Sequence, residues 1–150
     1  MKKIIVGTCI RQDNKILMVQ EAKQKVYGKW NFPAGHLEDN EDIFDGAIRE
    51  TKEETGYDVK LTGALPIINY IDGDADILRV TFIAEIVGGS LTFNKDELLD
   101  IKWIPINEIK QMTNIELRAY PCNMDILQSI EAGISYPLEI FKNIITNINE

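Results

Sequence analysis

The chain is poor in the residues that build most metal and disulfide sites: it has one histidine, His36, and two cysteines, Cys9 and Cys122, with no C-x-x-C spacing. A lone histidine excludes a multi-histidine metal centre. Two isolated cysteines support neither a zinc site nor a disulfide framework, so a reducing, cytoplasmic setting is the expectation. Long apolar runs are absent too, which leaves no candidate membrane span. Met1-Lys2-Lys3 leads into the apolar IIVGTCI, but that stretch stops at Arg11-Gln12-Asp13-Asn14 without a cleavage-like segment and reads as a first strand rather than a secretory signal. Basic residues are the minority, 16 against 24 acidic, for a net charge of −8. With no basic stripe, that charge argues against broad non-specific binding to nucleic acid. There is no internal repeat, low-complexity tract or linker, and 150 residues are expected to form one domain spanning 1–150.

What the chain does have is an acidic helix. Between Gly35 and Tyr57 the pattern places Glu50, Glu53 and Glu54 on one face, near the helix C-terminus. Like charges at i,i+3 and i,i+4 repel by roughly 0.2–0.5 kcal/mol per pair, and each acid opposes the helix dipole by about 0.3–1 kcal/mol. A positive partner is therefore expected, and a hard divalent cation with oxygen ligands is the simplest. At 100° per residue, Phe44, Ala47, Ile48, Thr51 and Thr55 share one arc and the glutamates the adjacent one, so burying the first sets the second at the rim of the core. Asp39 or Asn40 can cap the start, Gly56 ends the helix as a left-handed C-cap, and Gly46 is expected to permit close packing on a sheet. A solvated acidic surface is the plain alternative, with pairs such as Arg49 and Glu53 contributing only tenths of a kcal/mol. It does not account for Gly35, Glu41, Arg49 and Gly56 at fixed offsets from the glutamates.

The full run, GHLEDNEDIFDGAIRETKEETGY, fits G-x5-E-x7-R-E-U-x-E-E-x-G-U, where U is a bulky apolar residue. Its seven fixed identities would coincide by chance on the order of once in 10⁸ start positions at ordinary residue frequencies. The run resembles the signature of the Nudix hydrolases, which cut a nucleoside diphosphate linked to another moiety. Thr51 and Tyr57 depart from the usual residues at two U places, a change of packing rather than of chemistry. The resemblance implies an α/β fold, the Nudix α/β/α sandwich, with a mixed β-sheet and a loop-helix-loop catalytic motif. Outside the box, WNFPAGHLE and the later GISYPLE (133–139) look like bacterial Nudix phosphatases of nucleoside di- and triphosphates and of thiamine pyrimidine pyrophosphate.

Carried over residue by residue, the resemblance makes Gly35 (or the preceding Ala34, through a backbone carbonyl), Glu50, Glu53 and Glu54 the metal ligands, for Mg²⁺ or Mn²⁺. Arg49 joins the catalytic group by holding carboxylates in place; Glu41 and Gly56 are structural supports. Glu53, or Glu97 in the distant NKDELLDIKW, would accept the proton of the attacking water. Trp30, Asn31, Phe32 and Arg79 are the candidate substrate contacts, with Lys23 and Lys29 as further phosphate partners. A small-molecule nucleotide or pyrophosphate is the expected substrate, for a monomer or homodimer. Three other functions compete: hydrolysis of RNA 5′ ends, disfavoured by the charge of −8; a non-catalytic nucleotide-sensing module, disfavoured because every box glutamate is present; and an isomerase, for which no cysteine pair lies near the box.

Around the box, 3–10 and 15–20 read as a hairpin closed by Asp13-Asn14, Trp30 to Pro33 as a short extended piece, and 58–70, 77–87 and 100–104 as strands, with a tight turn at Gly88-Gly89. IPINEIKQM, NMDILQSIEAG and PLEIFKNIITNI carry helical periodicity.

Overall fold

The computed structural model describes residues 1–145. Strands β1 (Lys2–Gln12) and β2 (Lys15–Glu21) are joined by a two-residue turn in which Asp13 takes a left-handed φ of 54°. They form a hairpin only at its tip, Arg11 opposite Ile16 and Gln12 opposite Lys15. The rest of β1 runs parallel to β7 (Ala75–Gly89), from Lys2 beside Asp76 to Ile10 beside Ala84. The expected hairpin is thus corrected to a splayed pair. β1 leaves β2 to bridge two halves of a mixed sheet, and β2 pairs instead with β8 (Leu98–Pro105) and β3 (Trp30–Asn31). On the other half, β4 (Ala34–His36) lies antiparallel to β1, while β5 (Tyr57–Ala64) and β6 (Ile68–Asp72) share the far edge of β7. The single strand expected over 58–70 divides there, around Leu65-Pro66-Ile67; proline has no N–H to give to a ladder.

Period-two alternation sends successive side chains to opposite faces. Val6 and Ile10 of β1, Leu17 and Val19 of β2, and Val80, Phe82 and Ala84 of β7 face the helix α1 (Ile43–Thr55), in a core that includes Ala47. Cys9, Ile16 and Met18 face the other way, toward α2 (Ile106–Lys110) and α3 (Tyr120–Glu131), with Ile109, Ile126 and Leu127. This is the mixed sheet with helices on both faces that the resemblance implies.

The arc of α1 follows its sequence pattern. Ala47, Thr51 and Thr55 are buried, and the ring of Phe44 meets Phe82 and Phe141 edge-on at 5.4 and 5.7 Å. Thr51 turns its departure from the motif to use: its hydroxyl lies 2.7 Å from that of Thr8 and donates to the Ala47 carbonyl at 2.8 Å, joining helix to sheet. Gly56 caps the C-terminus at φ 81°, as expected. The N-cap is neither Asp39 nor Asn40 but Asp42, whose Oδ1 accepts from the N–H groups of Phe44 and Asp45 at 2.7 and 3.2 Å. Asn40 takes φ 63° in the approach loop. Asp42→Ala is expected to cost about 1 kcal/mol in urea unfolding, the usual loss for an N-cap acceptor; an unchanged midpoint would show the cap to be idle. Gly46 packs against Leu37 and Glu41 rather than the sheet, since a Cβ there would meet Leu37 Cδ1 at 2.6 Å.

Two further expectations are corrected. Gly88 and Gly89 extend β7 opposite Asp58 and Tyr57, because bare glycine lets that strand close onto the Gly56 carbonyl at the α1–β5 junction. PLEIFKNIITNI forms a 3₁₀ turn at Leu138–Ile140 and then an irregular segment to 145; its last residues lie outside the described chain. Gly133, at φ 73°, follows α3 as the sequence indicates.

Candidate active site

The last two turns of α1, the strand β4 and the end of β2 enclose a cavity of about 390 Å³. Its walls bring together the backbone of Ala34 and Gly35 with Glu50, Glu53, Glu54 and, from the loop before β8, Glu97. The sequence separates Glu97 from the box by more than forty positions; the β2–β8 pairing, with Glu21 opposite Leu98, places it at the cavity rim.

Arg49 organises this acidic wall. Its Nε donates to Glu41 Oε2 at 2.6 Å and its Nη2 to Glu41 Oε1 at 2.9 Å, a forked pair, while Nη2 also reaches the His36 carbonyl at 3.1 Å. That ties the helix to the loop that follows β4. The remaining nitrogen, Nη1, donates to Glu50 at 2.8 Å and Glu53 at 3.2 Å. Hydrogen bonding to Arg49 lowers the Glu41 pKa and, from the other side, Glu41 raises that of Arg49.

The deeper carboxylates are held differently. Glu54 Oε1 accepts from the Ala34 N–H at 2.7 Å. Burial pushes its pKa up to about 8; the hydrogen bond from Ala34 opposes this, and the charges of Glu21 and Glu50 add to it. Glu50 is raised as well, first by burial and against the pull of Arg49. Gly35 has a definite reason to be glycine: a Cβ at that position would fall on the carboxylate of Glu50. Among the described residues, no three histidine, cysteine or acidic side chains converge at metal-ligating distance. Glu50 and Glu53 are instead engaged by one nitrogen of the Arg49 guanidinium.

One group escaped the sequence reading. Glu21, buried at 4% exposure, projects from the end of β2 into the same cavity and pairs with Arg118 at 2.8 Å. The signal was available: Leu17, Val19 and Glu21 share a period of two, so the acid stands in line with core residues.

A second, smaller cavity of about 160 Å³ adjoins the first and shares Lys23, Ala34, Gly35, His36 and Arg118 with it. Two of the four candidate substrate residues line it. Asn31 is buried and accepts from Asn123 Nδ2 at 2.8 Å, and Arg79 is 2% exposed. The other two are corrected. Phe32 has no exposed surface and belongs to the α3-side core. Trp30 lines neither cavity; its ring packs on that core with Lys102 Nζ 5.8 Å above it. Lys29 reaches the Asn114 carbonyl at 2.8 Å instead of the acidic cavity. Burial and the nearby Lys3, Lys23 and Arg118 lower the His36 pKa, favouring the neutral ring.

Comparison with known proteins agrees with this geometry. The NUDIX domain family matches residues 1–122. The 8-oxo-dGDP phosphatase NUDT18 of Danio rerio is 35% identical over 136 residues, 88% of this chain and 38% of that protein. Phosphatase NudJ of Escherichia coli is 30% identical over 141 residues, 91% of this chain and 88% of that protein. A NUDIX hydrolase from Nitrosomonas europaea superposes with a TM-score of 0.85 at 29% identity, covering 98% of this chain and 100% of that one. The chain spans about two fifths of the length of the NUDT18 relatives. No helix among the described residues is long and apolar enough to cross a membrane. The Arg49–Glu41 clamp, the glycine-backed glutamates and a family match across the box and the sheet lead to one assignment: the chain belongs to the Nudix family.

Proposed function

We propose that the protein is a divalent-metal-dependent hydrolase that cuts the diphosphate linkage of a nucleoside di- or triphosphate, or of a similar small organic pyrophosphate, by attack of water. The observation that carries this reading is the half-buried, mutually repelling pair Glu50 and Glu54, both with raised pKa, beside a glycine that keeps the backbone open to them. Such a donor set fits Mg²⁺ or Mn²⁺, because two positive charges relieve what burial and repulsion impose. Glu50, Glu53 and Glu54, with the Gly35 carbonyl, would hold the cation. Bound there, it would supply charge neutralisation on the phosphate oxygens and a lowered pKa for water.

The chain's own groups do the rest. Glu53 is the freest of the box carboxylates, with its side chain 57% exposed, and Glu97 is exposed across the cavity; either accepts the water proton in this scheme. Arg49 keeps Glu50 from turning to solvent and tethers the exposed Glu53. Lys23 and Arg118 line the cavity wall and meet the substrate's negative charge.

The test is turnover with Mg²⁺ or Mn²⁺ across nucleoside di- and triphosphates, thiamine pyrophosphate, ADP-ribose and dinucleoside polyphosphates. Release of phosphate or pyrophosphate from at least one, abolished by EDTA and restored by the cation, is the expected result. Metal-independent turnover, or none on the whole panel, would remove the proposal.

A further inference from the structure

The proposed cleavage of a diphosphate employs the acidic wall of the cleft with Lys23 and Arg118, and leaves Arg79 and Lys3 of the second cavity without a task. That cavity holds the most anomalous polar group among the described residues. Arg79 is buried to 2% exposure, yet its Nε and Nη2 have no hydrogen-bond partner. These two nitrogens lie on one edge of the guanidinium, the edge that forms a forked pair with two oxygens of a single anion. A buried cation without such a partner is a strongly unfavourable arrangement unless a ligand completes it.

The lining supplies more positive charge in the same place. Lys3, Lys23 and Arg118 join Arg79, with Asp72 as the one carboxylate. Arg118 is already engaged by Glu21. Lys3, Lys23 and Arg79 meet one carboxylate, Asp72, and the Tyr70 hydroxyl within this lining, although Lys23 also borders the glutamate cavity and Asp74 lies beside Lys3 and Lys23 in an adjoining pocket; cations still outnumber acids here, within a chain of net charge −8. A neutral heterocycle would need none of it.

We propose that this cavity is a second anion subsite, in which the Nε and Nη2 edge of Arg79 clamps a phosphate or carboxylate that the ligand carries away from the diphosphate being cut. Because the two cavities share Ala34 and Gly35, one molecule spans both. The favoured substrates are then organic diphosphates with an additional acidic group on the far moiety. The word substrate rests on the proposed hydrolase function; the anion site itself does not.

Calorimetry on the full chain in EDTA separates the two. Without metal the glutamate wall repels anions, so anion binding in the cleft reports the cationic cavity. The probes are adenosine 3′,5′-bisphosphate, adenosine and guanosine. The bisphosphate is expected to bind at millimolar or lower concentration, at least tenfold tighter than either nucleoside. Arg79→Met should weaken it by at least tenfold, the scale of a lost pair of charge-assisted hydrogen bonds. Lys3→Met, at an exposed position that leaves the core intact, should weaken it roughly two- to fivefold and keeps the test decisive if Arg79→Met does not fold. No binding of the bisphosphate, equal binding of guanosine through its paired O6 and N7 acceptors, or undiminished affinity in both variants would each overturn the assignment. Bisphosphate binding without turnover on the Mg²⁺ panel would sink the hydrolase reading and leave this one standing.

Discussion

Glu54→Gln will remove nearly all hydrolysis while leaving the metal-free protein more stable than the parent above pH 4.5. The two effects share one cause. Glu54 is half-buried against the Ala34 N–H, and desolvation pushes its carboxyl pKa up from 4.5 to about 8 in the folded chain. A folded-state pKa raised above the unfolded one means the native protein holds a proton that the unfolded chain has released. The stability this group contributes is thus intact below pH 4.5 and is lost progressively as the pH rises to about 8. Glutamine is isosteric, cannot ionise, and can still accept from Ala34 through its amide oxygen, so the variant escapes that loss. Without the negative charge, however, the proposed cation would lose a ligand. Removing one preorganised electrostatic group commonly lowers kcat by about 10²–10³-fold, and loss of a direct ligand should reach at least that. The measurements are kcat with saturating Mg²⁺ and urea midpoints in EDTA at pH 5 and pH 9. A stability gap that does not widen between those two values, or near-parental kcat, would refute the account. In the parent, metal affinity below pH 8 should climb with pH, because binding must displace the Glu54 proton.

The acidic helix was legible in the sequence because its requirements are local. Periodicity set which residues face the core, the box fixed the glycine at its end, and both needed only neighbours within four positions. Even so, the start of the helix was misplaced, since Asp39, Asn40 and Asp42 are all competent caps and the choice depends on how the loop leaves β4. Strand pairing was less accessible. The parallel partner of β1 lies some seventy residues away, Ile4 beside Leu78, and no turn encodes it. Phe32 shows the same limit from the side of function. An aromatic residue next to a catalytic loop fits a substrate contact, but the β2–β3 pairing aims it into the α3-side core.

Charged residues were the hardest to place, because composition favours solvent for each of them. Glu21 and Arg118 stand 97 positions apart and become a pair only when β3, beside β2, bridges the segment before α3. Arg79 read as one candidate among several basic residues, and only its depth in the fold sets it apart. The box reading thus located the acidic half of the cleft, while the cationic half required the sheet.

Gly35→Ala is the second change with a large expected effect, and it separates geometry from charge. Every titratable group of the cavity remains. The added methyl must occupy the place where the Glu50 carboxylate lies against β4, so that carboxylate has to move. Its available direction is toward Arg49, which already holds it at 2.8 Å and also holds Glu53. The shift would pull the acidic wall off the β4 backbone and separate Glu50 from the Gly35 carbonyl, the two oxygens the cation is proposed to share. A displacement near 1 Å at such a centre costs about 10²-fold in rate, and overpacking costs about 1–3 kcal/mol of stability. The decisive control is a double substitution, Gly35→Ala with Glu50→Asp, which shortens the acid by one methylene. If sterics at Glu50 are the cause, the double variant will regain stability relative to Gly35→Ala even where activity stays low. If β4 itself requires glycine for another reason, the shortened acid will restore nothing, and the contact between Gly35 and Glu50 will have been given too large a role.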